Sequence, residues 1–173
     1  MSILTILLLI IIVSLVSISW TRLIGAPWAP TDMTVVRKML TMAKVKPGEL
    51  VYDLGCGDGR ILIVAARQFG ARAIGIEIDP LRYLWSQIRI RLLGLGSKVR
   101  IEYGNFFKHD LSQADVVTCY LLQDTNNKLA DKLNQELNSS ARIVSSIYTF
   151  PLLSLIHKNK RLKIFVYKTK GQS

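Results

Sequence analysis

Short apolar runs alternate with helical stripes over most of this chain, after a long opening stretch that is apolar throughout. Residues 2–20 contain no charged side chain. Beyond them, runs at 49–54, 98–103, 115–122 and 142–148, and one ending at Glu77, read as strands too short for helices. The segments between the first runs carry apolar residues at helical spacing. Thr31 or Asp32 caps the first stripe, which places Val35, Val36, Met39, Leu40 and Ala43 on one face through about Lys44. The second runs from Arg60 to Phe69 and is stopped by Gly70. Asp79 followed by Pro80 opens the third, and its spacing predicts that Leu81, Leu84, Trp85, Ile88 and Leu92 face inward. A further helix is predicted around 125–137. Residues 152–170 read as two strands joined at 158–160. Alternating strands and helices imply an α/β fold, a Rossmann-like doubly wound and mostly parallel sheet that closes with an antiparallel C-terminal hairpin.

The opening stretch changes the picture. As a helix of ~1.5 Å per residue, residues 2–20 would reach about 30 Å, the thickness of a hydrocarbon core. No basic residue precedes the run and no small-residue cleavage pattern follows it, which argues against a cleaved signal peptide. The expectation is one N-terminal transmembrane helix over residues 1–22, with Trp20 and Arg22 as interfacial anchors. A stiff linker follows over 23–31, where Pro27 and Pro30 exclude helix, and then a single domain over 32–173. All 23 Lys and Arg and all 12 Asp and Glu lie after the apolar stretch, so the net charge of +11 belongs to the chain beyond it. The positive-inside rule then places the domain on the cytoplasmic side of a membrane, or on its matrix-side equivalent in an organelle. Residues 2–20 and the basic surface are the expected membrane contacts. The same charge also suits nucleic acid, although no aromatic-basic RNA module is visible.

Chemistry concentrates where the first strand ends. Asp53-Leu-Gly-Cys-Gly-Asp-Gly59 sets three alternate glycines between a strand and a helix. Glycine accepts positive φ and lets a ligand lie against bare backbone, while the helix start presents free N–H groups. A dinucleotide fingerprint spaces its glycines one residue wider, to meet a pyrophosphate. Here Asp53 and Asp58 would repel phosphate, but they suit a cationic amine. Eighteen residues past Gly59, Glu77 ends the second strand as an acceptor for ribose hydroxyls. Two cysteines, Cys56 and Cys119, suggest neither a disulfide framework nor metal chemistry, and no metal motif exists.

With these residues the sequence resembles the class I (seven-strand) S-adenosylmethionine-dependent methyltransferases. The resemblance implies S-adenosylmethionine as cofactor, bound by Asp53, Gly55, Cys56, Gly57, Asp58, Gly59 and Glu77. It also implies that Asn105 bonds the adenine amino group while Ile78 and Phe106 sandwich the ring. Tyr120-Leu-Leu-Gln123 departs from the [N/D]-P-P-[Y/F] motif of the amino-group methylases that act on adenine or glutamine amides. The stretch from Pro27 to Lys170 resembles more closely the small archaeal protein-lysine methyltransferases and their membrane-anchored mitochondrial relatives. That likeness implies a lysine acceptor on a protein substrate, with Trp28, Thr31 and Tyr120 lining its channel. Trp28 stands where the group usually has tyrosine, and Ser146-Ile147 replaces a more polar pair. A lipid, quinone or RNA acceptor at the membrane is the alternative.

Overall fold

The structure, a computed structural model, describes residues 2–8, 11–12 and 30–170. Its elements are α1 (Met33–Met42), β1 (Leu50–Leu54), α2 (Arg60–Gln68), β2 (Arg72–Glu77), α3 (Pro80–Leu92) and β3 (Val99–Tyr103). A 3-10 turn (Phe106–Lys108), β4 (Val116–Cys119), α4 (Gln123–Glu136), β5 (Arg142–Ser146), β6 (Ser154–Asn159) and β7 (Ile164–Lys168) complete it. The strands form one seven-stranded sheet in the order β3-β2-β1-β4-β5-β7-β6. Pairing is parallel from β3 through β5 and antiparallel for β7 against both β5 and β6. Right-handed crossovers lead away from β1 in opposite directions, so the helices cover opposite faces. The strand order reverses between β1 and β4, and the carboxyl edge at that point is where such sheets bind ligands.

Alternation along the strands builds two cores. Val51, Ala73, Val99, Val116, Val144 and Val166 pack under α1 and α2 with Met39, Leu40, Leu62 and Ile90. Leu50, Tyr52, Leu54, Val117, Cys119 and Ile143 point the other way, onto Leu129, Ala130 and Leu133 of α4. The caps follow their sequence signals. Asp32 accepts a hydrogen bond from the Thr34 N–H at 2.7 Å, and Asp79 accepts from Leu81 and Arg82 at 3.0 and 2.9 Å.

Three expectations need correction. The expected transmembrane helix is not part of the observed fold: among the described residues, no helix is long and apolar enough to cross a membrane. Residues 3–8 and 11–12 are helical, but six consecutive residues reach only about 9 Å, and most of the expected span lies outside the described residues. Second, β4 stops at Cys119, which puts Tyr120 just beyond the strand, and the last two strands are joined at 160–163 rather than 158–160.

Third, α3 is turned over. Tyr83 packs partly buried against the core, Ser86 and Ile90 are buried, and Leu81, Leu84, Trp85, Ile88 and Leu92 face outward. The reason is that Ser86 and Ile90, and not the leucine face, meet the glycine loop: a Cβ on Gly59 would lie 3.6 Å from the Ser86 Cβ and 3.9 Å from the Ile90 Cδ1, ordinary packing distances.

Gly75 on β2 is the sterically constrained glycine of this region. A Cβ there would stand 2.5 Å from the Leu62 Cδ1 and 2.6 Å from the Cys56 Sγ. Gly75→Ala is therefore expected to destabilise the fold by about 1–3 kcal/mol, the usual cost of overpacking a filled core. Urea denaturation measures it, and an unchanged midpoint would contradict this packing.

Candidate cofactor and acceptor site

β1 delivers Asp53 to the carboxyl edge, and the chain then turns through Gly55, Gly57 and Gly59 with φ of 75, 55 and 74°. These left-handed angles are strained for any other residue, and they curl the loop under the start of α2. The Gly55 and Cys56 N–H groups both donate to the Ile76 carbonyl, at 2.9 and 3.1 Å. Cys56 is buried beneath Gly75, so its side chain packs the loop onto β2.

Glu77 ends β2 almost fully buried. One carboxylate oxygen accepts from the Gly57 N–H at 2.8 Å and the other from the Asp79 N–H at 2.9 Å. Its carbonyl accepts from the Gly104 N–H at 2.9 Å, which brings in the loop after β3. Burial raises the Glu77 pKa, against the backbone donors that lower it. A carboxylate has about four lone-pair sites, so two remain for hydroxyl donors. Ile78 is half-buried beside it. Asn105 accepts from the Phe107 N–H at 3.0 Å and keeps a second lone pair for an amino donor, and Phe106 packs against the α4-side core.

Asp53 and Asp58 differ sharply. Asp58 is ion-paired with Arg60 at 2.8 Å and with Arg89 of α3 at 2.7 Å. Burial acts to raise its pKa, but the Arg60 hydrogen bond and the charges of Arg60 and Arg89 outweigh it and hold the carboxyl below its ordinary range. Asp58 is thus a brace, already neutralised. Arg60 also donates to the Thr31 carbonyl at 2.8 Å, which ties the chain ahead of α1 to the loop. Asp53 has no ion pair among the described residues, only the Thr118 hydroxyl at 2.7 Å. Burial, then the charges of Glu77 and Asp58, push its carboxyl up to about 7 against the Thr118 bond. The edge therefore holds Asp53, an acid without a cation, and Glu77, an acid held by backbone amides, below a bare glycine backbone. That arrangement fits an ammonium and a pair of hydroxyls, and it disfavours phosphate.

The acceptor side lies past β4 and β5. Thr31 is buried and Tyr120 half-buried, while Trp28 lies outside the described residues. Ile147 follows β5 with φ of 67°, a strained angle for a β-branched residue. It is held by its own N–H to the Lys163 carbonyl and by the Tyr148 N–H to the Ser146 carbonyl, both at 2.8 Å. Gln123 fastens the same loop, donating to the Thr149 carbonyl at 2.9 Å and accepting from its N–H at 3.2 Å. Sequence reasoning missed Arg60, Arg89, Thr118, Gly75 and Gln123 because each acts across a distance in sequence. The run Gly104 to His109 is a local case: the Glu102 carboxylate holds the His109 ring at 3.0 Å, which secures the loop carrying Asn105.

The raised Asp53 pKa has a definite consequence for stability. In the unfolded chain the group ionises near 3.8, while in the fold it keeps its proton up to about 7. Across that window the native state binds more protons, so this group's contribution makes stability fall as pH rises, and it levels off above about 7. Asp53→Asn removes the titration. Its stability relative to the parent chain should rise with pH through this window, as read by urea denaturation at several pH values. A pH-independent difference would contradict the assignment.

Comparison with known proteins agrees with this geometry. The family described as the ANTKMT methyltransferase domain matches residues 53–156, from Asp53 to β6. A protein-lysine N-methyltransferase of Saccharolobus islandicus is 46% identical over 120 residues, covering 69% of this chain and 74% of that protein. The adenine nucleotide translocase lysine N-methyltransferase of Mus musculus is 32% identical over 126 residues; the match covers 72% of this chain and 54% of that enzyme. Among solved structures, an RNA methyltransferase from Salinibacter ruber in complex with S-adenosyl-L-homocysteine superposes with a TM-score of 0.77. It is 37% identical, and the match covers 82% of this chain and 92% of that one. The chain is therefore an S-adenosylmethionine-dependent methyltransferase and belongs to the ANTKMT methyltransferase domain family.

Proposed function

We propose that this enzyme methylates lysine side chains of a protein. The observation that carries the acceptor is the 46% identity to an archaeal protein-lysine N-methyltransferase over most of the domain. The site supports it. S-adenosylmethionine supplies an electrophilic methyl on a sulfonium, so the chain's task is to present a neutral amine in line with it. Asp53 receives the cofactor's ammonium, Glu77 its ribose hydroxyls and Asn105 its adenine amino group, over the backbone of Gly55, Gly57 and Gly59, with Ile78 and Phe106 on the ring faces.

On the acceptor side, half-buried Tyr120 offers an oxygen to orient the lysine amine. Buried Thr31 and the fixed Ile147 loop form the surrounding wall, and the family resemblance assigns Trp28 to the same channel. Partial desolvation there lowers the pKa of an entering lysine, which frees its lone pair. A tyrosine hydroxyl orients the amine without a dedicated base. An RNA acceptor is the second reading, favoured by the likeness to the Salinibacter ruber RNA methyltransferase and by the net charge of +11.

The enzyme is expected to place labelled methyl groups in protein that acid hydrolysis returns as methyl-lysine, when given cell extract and labelled donor; label lost to ribonuclease would reject the lysine reading. Glu77→Ala should weaken cofactor binding by about tenfold or more in calorimetry, since one hydrogen bond to a charged group is worth ~1.5–3 kcal/mol. Tyr120→Phe should lower kcat with little change in cofactor affinity. Equal kcat for the two proteins would remove Tyr120 from the acceptor channel.

A further inference from the structure

The outward face of α3 has no partner among the described residues. Leu81, Leu84, Trp85, Ile88 and Leu92 are 42, 54, 55, 40 and 80% exposed. At 100° per residue they fall in a stripe about 100° wide along the whole helix. Arg91 borders the stripe on one side, with Arg82 and Arg89 on the other, and α3 carries no acidic residue. Arg82 and Arg89 are ion-paired with Asp79 and Asp58 at their own edge, while exposed Arg91 has no ion pair among the described residues, so the helix carries three arginines and no acid of its own. A contiguous exposed apolar patch of this kind marks an interaction surface.

We propose that α3 is a docking helix for an anionic lipid surface, lying in the plane of the head groups with Trp85 at its centre. Charge decides the occupant. Two copies meeting through α3 would set arginine against arginine, and a nucleic acid would leave the leucines and the tryptophan in water. An anionic lipid leaflet satisfies both parts, burying the stripe in the acyl boundary and the arginines among the head groups. The inference does not depend on the identity of the methyl acceptor.

The test uses the full chain with Trp20→Phe and Trp28→Phe, which leaves Trp85 as its sole tryptophan. On vesicles of phosphatidylcholine and phosphatidylserine, Trp85 emission should shift to the blue and be quenched by brominated acyl chains. Quenching should fall markedly on phosphatidylcholine alone. Leu84→Glu with Ile88→Glu should weaken the anionic-vesicle response about tenfold or more, while S-adenosylhomocysteine binding stays unchanged as the sign of an intact domain. Trp85 left unquenched on vesicles that carry the protein would overturn the proposal. So would equal quenching on neutral and anionic vesicles, or a lipid-free dimer that buries Trp85.

Discussion

The buried carboxylate of Glu77 holds the working edge of this protein together. With one oxygen on the Gly57 N–H and the other on the Asp79 N–H, it joins the glycine loop after β1 to the start of α3. Its carbonyl fastens the loop after β3 through Gly104. Three segments that are separate in sequence thereby converge on one residue at the end of one strand. Backbone donors favour the charged form while burial opposes it. Hydroxyl donors from a ribose would complete what two amides begin. The position is structural and ligand-directed at once, and the same bonds serve both.

Around it, charge is distributed unequally. Among the described residues Asp58 is ion-paired with two arginines and Asp53 with none. The braced acid fixes the loop to α3 and, through Arg60, to the chain before α1. The unbraced acid keeps its proton up to about 7 and awaits a cation. Two aspartates of one short loop thus do different work, and the difference lies in Arg60 and Arg89 rather than in the loop. The geometry accounts for a donor that carries an ammonium and no phosphate.

Much of this was legible in the chain. Glycine spacing, the strand-end acids and the alternation of strands with helices pointed to the sheet, because each rests on local backbone chemistry. The orientation of α3 was not legible. Periodicity shows that Leu81, Leu84, Trp85, Ile88 and Leu92 share a face, but it cannot say which face meets the core. Ser86 and Ile90 meet the glycine loop at Gly59, a contact between residues far apart in sequence. The opening apolar stretch is a different case: composition gives the length a helix would have, and among the described residues no helix is long and apolar enough to cross a membrane. Roles that depend on tertiary pairing, such as those of Thr118 and Gln123, leave no local signal at all.

The fold itself builds the cofactor site, with Glu77 as its keystone. A crystal structure with S-adenosylhomocysteine bound tests this directly. The account predicts ribose hydroxyls on the Glu77 carboxylate, the Gly57 and Asp79 bonds retained, and the glycine loop at its present left-handed angles. A ligand seated away from Glu77, or a loop that must break those two bonds to admit it, would contradict the claim.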